Sequence, residues 1–347
     1  MLILVPVAIL FGQSWNGTSE RLESVGRERD GVEYAIALGE LTRVMAEAQS
    51  AALHQSPSLD PVNGAVAAVD GVDARLGATL GTTARWTDAR AKIEALGGVT
   101  GSTTAVYEAY AAITDLLLAL HEEVRDNADL SRDPRGDTFH LQEAGAAELP
   151  ALIVGTGRLA DLADLAVGAA PADRPALLGR LLATRTLVDG RVADLTDNLQ
   201  ASLDETESDT LSTKLLTGLN RFRQGVDKLY VVADGAQTDA ATAAQLSPAR
   251  TEAQRAQAEL MTTVLTELDT LLRERAGELG ARRTTAVVML VLALLIAAVP
   301  FALPLVVNRA RPAPQDARVE PLPRHAEETP AGEDVWSPRR RRAGATR

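Results

Sequence analysis

TTAVVMLVLALLIAAVPFALPLVVN, residues 284–308, holds 25 residues without one charge and is bracketed by Arg282, Arg283 and Arg309. At about 1.5 Å per residue a helix of this length covers the ~30 Å hydrocarbon core of a bilayer, and backbone in lipid must satisfy its own polar groups, so the stretch reads as a transmembrane helix. Pro300 and Pro304 loosen its last turns. The competing reading is a core helix of a soluble protein, but such apolar runs usually stop at about 10 to 14 residues. Before this stretch lies a long polar helical region, 16–283; after it comes a short tail, 309–347.

Composition limits what the long region can be. Aromatic residues are only 3% while alanine and leucine abound, which favours long helices with small side chains at their contacts. The expected class is all-α. The net charge of −12 is unevenly placed: nine Arg against six acids in 309–347 leave −15 for 16–283, a poor match for nucleic acid. The chain has no cysteine, which removes disulfides, thiol nucleophiles and thiolate metal sites. Arginines flank the span almost equally, with Arg273, Arg275, Arg282 and Arg283 before it and Arg309, Arg311, Arg318 and Arg324 after. The four arginines at 339–342 and the acidity of 16–283 favour a cytoplasmic tail and an extracytoplasmic domain at the plasma membrane.

The N-terminus, MLILVPVAILFGQSW, is apolar for only about 20 Å of helix and lacks a basic leader and an A-x-A cleavage site. We expect residues 1–15 to be a first transmembrane helix whose start is missing or misassigned, with Trp15 at the membrane interface. From Asn16 amphipathic helix begins. Leu22, Val25, Val32 and Ile36 keep a 3,4 rhythm with Arg29 in the intervening slot, and Tyr34, Leu38, Leu41 and Met45 form a neighbouring stripe. After a break at 56–61, Val62, Val66, Val69, Leu76 and Leu80 predict one helix running to Leu96. Val106, Tyr110, Ile113, Leu117, Leu120 and Val124 then step strictly by 4,3,4,3,4, the seam of a bundle. A fourth helix starts at Asp137 or Thr138, and Pro150 must cost it the hydrogen bond to Ala146 and kink it. Leu178, Leu181, Val188, Val192, Leu195 and Leu199 follow in heptad spacing, with Arg185 where an apolar residue is expected. Leu215, Leu219, Phe222, Val226 and Leu229 mark a sixth helix; 233–246 reads as a polar loop. Ser247-Pro248 starts the last helix, whose Met261, Leu265, Leu268, Leu272 and Leu279 lead into the span without a linker. The tail, rich in Pro, Arg and acids, is expected to be disordered, its four-arginine block suited either to anionic lipid or to fixing topology.

Two segments carry a resemblance. RERDGVEYAIALGELTRVM, residues 27–45, and NADLSRDPRGDTFHLQEAGAAELPALIVGTGRL, residues 127–159, are similar to the membrane-anchored helical sensor regions of bacterial methyl-accepting chemotaxis proteins and sensor histidine kinases. The first looks like the start of their first outer helix, with a Gly-x-Glu-Tyr step. In the second, Leu130, Asp133, Pro134, Leu141, Leu149, Pro150, Gly157 and Arg158 match their Leu-x-x-Asp-Pro loop and the helix after it, and Thr138, Phe139 and His140 stand where Ser-Tyr-Tyr would be. The resemblance covers nearly all of 6–304 and implies an elongated antiparallel bundle, two stacked four-helix bundles sharing long helices. The HAMP-type coiled coil and output hairpin of such receptors have no counterpart in the tail.

Arg29 and Arg185 are candidate ligand residues because a guanidinium buried in a helical seam needs a carboxylate or an anionic ligand to offset its desolvation. The alternative is that each side chain snorkels out or pairs with a nearby acid. Thr138, Phe139 and His140 are candidates through the resemblance, against a helix cap followed by packing. The four histidines lie at no ligand spacing, and no phosphate loop or nucleophile elbow follows a strand, so no metal, cofactor or catalysis is expected. These features predict a receptor-like membrane protein, sensing a small molecule or envelope state and passing it to a separate signalling protein, with a homodimer and a small anionic ligand as expected partners. The competing class is an envelope scaffold whose coiled-coil surfaces bind other proteins.

Overall fold

The computed structural model describes residues 4–54, 58–131, 136–206 and 209–309. Among them there is no strand, and the fold is all-α. The helices are α1 (Leu4–Leu53), α2 (Asp60–Leu80), α3 (Thr83–Ala95), α4 (Thr103–Asn127), α5 (Gly136–Glu143), α6 (Leu149–Gly168), α7 (Arg174–Glu205), α8 (Asp209–Ala236), α9 (Ala240–Ala243) and α10 (Leu246–Arg309), with a π-helical turn at Ala144–Glu148 between α5 and α6. The chain divides into two units, 1–291 and 292–347. All the packing described here belongs to the first; of the second, 292–309 are helical. The tail expected to be disordered lies, beyond Arg309, outside the described residues, as does part of the break at 56–61.

Most heptad positions bury, while Val106, Leu178 and Val192 are only partly covered. Tyr110, Ile113, Leu117, Leu120 and Val124 of α4 are buried, as are Leu215, Leu219, Phe222, Val226 and Leu229 of α8 and Met261, Leu265, Leu268 and Leu272 of α10. On α1 the stripe of Tyr34, Leu38, Leu41 and Met45 is fully enclosed, whereas Ile36 is 42% exposed and does not belong to the seam. These side chains form one large apolar cluster, and a second gathers Tyr107, Leu159, Leu162, Leu181, Leu229 and Leu246 around the end of α1. Each fully buried leucine contributes about 1.5–3 kcal/mol relative to an exposed one.

Side-chain pairs fix the helix directions. α1 and α10 run antiparallel in register: Trp15 meets Arg283, Arg29 meets Asp269, and Gly39 meets Met261, so every step forward on one helix is matched by a step back on the other. α8 and α10 are likewise antiparallel, through Lys214–Glu267, Arg221–Glu259 and Lys228–Glu252. α4 runs against α1, with His121 beside Thr42 and Ala128 against Gly31.

Three local expectations are corrected. The helix predicted from Val62 to Leu96 is two, because Gly81 adopts a left-handed conformation (φ 68°) and closes α2 by donating its N–H to the Gly77 carbonyl, while Asn127 Nδ2 caps the Leu80 carbonyl at 2.7 Å. Pro150 lies in the first turn of α6, directly after a π-helical turn at Ala144–Glu148, and it offers no N–H to the Ala146 carbonyl one turn back. The expected loop at 233–246 contains the end of α8 and all of α9, which Asp239 caps by accepting from the Ala241 and Thr242 N–H groups.

Among the described residues one helical segment, within α10, is long and apolar enough to cross a membrane, with a mean hydropathy of 1.8 over its most apolar window. Val288, Met289, Leu295 and Ile296 there are more than half exposed, an apolar surface that protein does not cover. The N-terminal apolar stretch, from Leu4 onward, continues into α1 without a break at Asn16. Its Trp15 ring lies 5.7 Å from that of Phe11 and 3.9 Å from the Arg283 guanidinium carbon, so the residue expected at the membrane interface stacks on the arginine that opens the span.

Candidate functional site

The sequence-predicted residues are scattered. Arg29 Nε donates to Asp269 Oδ1 at 3.0 Å, and Arg185 Nη1 donates to Asp234 at 2.6 Å while its guanidinium stacks 4.6 Å from the Tyr230 ring. Each guanidinium thus has a carboxylate partner in the fold and keeps part of its surface in solvent, Arg185 with its side chain 34% exposed instead of enclosed in the seam. The hydrogen bond to Asp234 raises Arg185 above the usual value of an arginine. Thr138 is buried, and the Phe139 ring packs edge-on against His140 at 5.3 Å. Arg29 pairs with Asp269, Arg185 with Asp234 and His140 with Asn198, three different partners.

His140 belongs to a chain of polar contacts that the sequence did not announce. Asn198 on α7 bridges two groups: its Oδ1 lies 2.8 Å from His140 Nδ1, and its Nδ2 donates to Glu148 Oε1 at 2.5 Å. The π-helical turn carries Glu148 into this position, and Gly145 of the same turn lets α10 approach, since a Cβ there would sit 2.7 Å from Leu265 Cδ2. Burial pushes the Glu148 carboxyl up to about 7; Asn198 and Arg191 pull it down, while Asp194 and Glu143 push it further up. A carboxyl raised in the folded state makes its stability contribution below its unfolded value, about 4.5, and loses it as the pH rises through about 7. Glu148→Gln keeps an acceptor for Asn198 and removes the titration. The variant is expected to match the parent chain near pH 4.5 and to be more stable at pH 8 by ~1 kcal/mol after allowance for solvent screening. Denaturant midpoints at the two pH values check this.

A line of buried polar side chains also runs along α1 at heptad positions. Glu28 accepts from Gln142 at 3.4 Å, Thr42 Oγ1 is 3.3 Å from His121 Nε2, and Gln49 Nε2 donates to Asp161 Oδ2 at 2.7 Å. Burial lowers His121 to about 3, which keeps the imidazole neutral, and its Nδ1 has no partner.

The line ends in the cavity with the most chemistry. Between the end of α1, the second half of α6 and the start of α10 lies a space of about 270 Å³, walled by Ser50, His54, Asp161, Asp164, Ser247 and Arg250. Asp161 and Arg250 are both more than nine-tenths buried, with Arg250 Nη1 3.5 Å from Asp161 Oδ1; His54 and Asp164 stand 3.6 Å apart at the exposed rim. Burial pushes the Asp161 carboxyl up to about 6 against the lowering effects of Arg250, Ser50 and Gln49, and Asp164 adds to the rise. Two buried atoms beside this pair have no partner, Arg250 Nε and Gln49 Oε1. The arrangement is a polar, charge-bearing pocket suited to holding a small polar molecule. Among the described residues no group of three His, Asp or Glu side chains is placed to hold a metal. Sequence reasoning missed the pocket because Asp161 and Arg250 sit on ordinary amphipathic helices; the one available signal was a charge falling in an apolar stripe, the criterion that singled out Arg29 and Arg185.

Fold and site together define an all-α protein with a candidate membrane-spanning helix and an interhelical polar pocket. Compared with known proteins, the chain matches no family model, no curated protein and no solved structure.

Proposed function

We propose that the chain is a membrane-anchored sensor. In this reading α1 and α10 begin and end in the bilayer, residues 16–283 form two stacked four-helix bundles outside the cytoplasm, and the pocket at Asp161 and Arg250 takes a small molecule whose presence is passed along α10 to a separate signalling protein, with a homodimer as the working unit and without chemistry of its own. One observation carries it. Two of the three helices that wall the pocket, α1 through Ser50 and α10 through Arg250, also meet at Trp15 and Arg283, about 50 Å away along either helix. Whatever shifts one helix against the other at the pocket must be felt at that contact, because the helices are paired in register between them.

The chain has no cysteine, so a double variant Trp15→Cys, Arg283→Cys reports this contact cleanly. In membranes, the rate of disulfide formation between the two is expected to change at least about twofold when Arg250→Ala is added, since coupling between sites is typically 1–3 kcal/mol. An unchanged rate discards the sensor and favours the envelope scaffold, for which the exposed Leu182, Leu187 and Val231 on α7 and α8 supply a protein-binding surface. Protease added to intact cells checks the orientation: 16–283 is expected to be cut and a tag after Arg347 to survive.

A further inference from the structure

We propose that the pocket between α1, α6 and the start of α10 binds a small protonated amine carrying a neighbouring oxygen acceptor, the ammonium group received by Asp161 and Asp164 and the acceptor by Arg250. The inference names the ligand class of the sensor reading above and rests on it only for the pocket being the effector site.

Charge comes first. Two carboxylates, one guanidinium and the His54 imidazole line the cavity, so with His54 neutral the walls carry a net negative charge that a monocation balances and an anion aggravates. The ion pair inside is loose: 3.5 Å between Arg250 Nη1 and Asp161 Oδ1 exceeds the 2.7–2.9 Å of a strong charge-assisted hydrogen bond, although both side chains have given up nearly all their water. A carboxylate enclosed in this way needs more positive partners than Arg250 alone provides.

Hydrogen-bonding capacity narrows the class. Gln49 spends its amide N–H on Asp161 and leaves Oε1, a buried acceptor, unmatched beside the same carboxylate. Arg250 leaves Nε, a buried donor, unmatched on the facing wall. An ammonium group supplies three donors to the Asp161 side, and a hydroxyl or carbonyl oxygen separated from it by two carbons supplies the acceptor on the Arg250 side. A hydrocarbon offers neither, and a carboxylate puts its charge against Asp161 and Asp164. About 270 Å³ admits a small molecule of up to roughly ten non-hydrogen atoms, or a smaller one with several waters.

Ethanolamine, with acetate as the opposite-charge control, tests the class on the full chain in detergent. A saturable rise in melting temperature of several degrees is expected with ethanolamine and none with acetate. Asp161→Asn, which keeps an acceptor for Gln49, should weaken ethanolamine binding at least tenfold. Asp164→Asn, at the exposed rim, should weaken it severalfold without moving the unliganded melting temperature, and it decides the matter if the buried variant does not fold. No saturable shift up to about 10 mM ethanolamine, acetate binding as well as the amine, or unchanged affinity in Asp164→Asn would each overturn the proposal. A failure here with a responsive Trp15–Arg283 contact removes the ligand class alone; binding without that response removes the sensor reading alone.

Discussion

Arg250→Ala is expected to lower the unfolding free energy by roughly 3–5 kcal/mol at pH 8, because it strands the Asp161 carboxylate among buried groups with no cation in reach. The loss should shrink on acidification, and the sign follows from Asp161. Its carboxyl is raised in the folded chain, so its contribution is intact below the unfolded value of 3.8 and is lost as pH rises through about 6; without Arg250 that upper bound moves higher still. At pH 5 the stranded carboxyl takes up a proton, and the variant should recover part of the difference. Denaturant unfolding at pH 5 and pH 8 measures both. A penalty equal at the two pH values means that the loss comes from packing of the long side chain and not from the stranded charge.

Gly225→Val should cost about 3 kcal/mol, the upper end of what overpacking a well-filled contact costs. A Cβ at Gly225 would lie 3.0 Å from the Ala253 Cα. That neighbour is backbone and cannot rotate away, so α8 has to lift from α10 and take the buried Val226 and Phe222 with it. Gly26 on α1 is the control. Nothing lies within 4 Å of its Cβ position, and Gly26→Ala should raise stability by about 0.5–1 kcal/mol through helix propensity alone. The two melting curves moving the same way would mean that α8 and α10 are not in van der Waals contact at Gly225.

What could be read from the residues, and what could not, divides along the range of the interaction. The seam of α4 was legible because helical periodicity is local: Tyr110 to Val124 recur at 3 and 4 whatever they pack against, and all are buried. Ile36 had the same spacing and is exposed, because a stripe gives a face of a helix and not the width of the partner that covers it. Gly81 was one of several glycines in its helix, and only the left-handed turn with its Asn127 cap, 46 residues on, sets it apart. Pro150 pointed to a disturbed helix, but not that the disturbance would be a π-helical turn delivering Glu148 to Asn198. The pocket was the least legible part. Arg29, Arg185 and Arg250 all interrupt apolar stripes, and which of them is enclosed depends on partners 49 residues or more away in sequence: Asp269 and Asp234 lie near solvent, Asp161 does not.

The pairing of α1 with α10 joins two helices from opposite ends of the described residues. Arg29 and Asp269 are separated by 240 positions, so throughout translation the face of α1 that Met261 and Asp269 will cover has no mate. The entropic cost of closing so long a loop grows only logarithmically and is modest, but the wait is not. The unmated face of α1 is open to foreign contacts until the ribosome has finished α10. Maturation of this protein should therefore be most vulnerable to truncation at its C-terminal side, where the loss of one helix leaves α1 permanently unzipped.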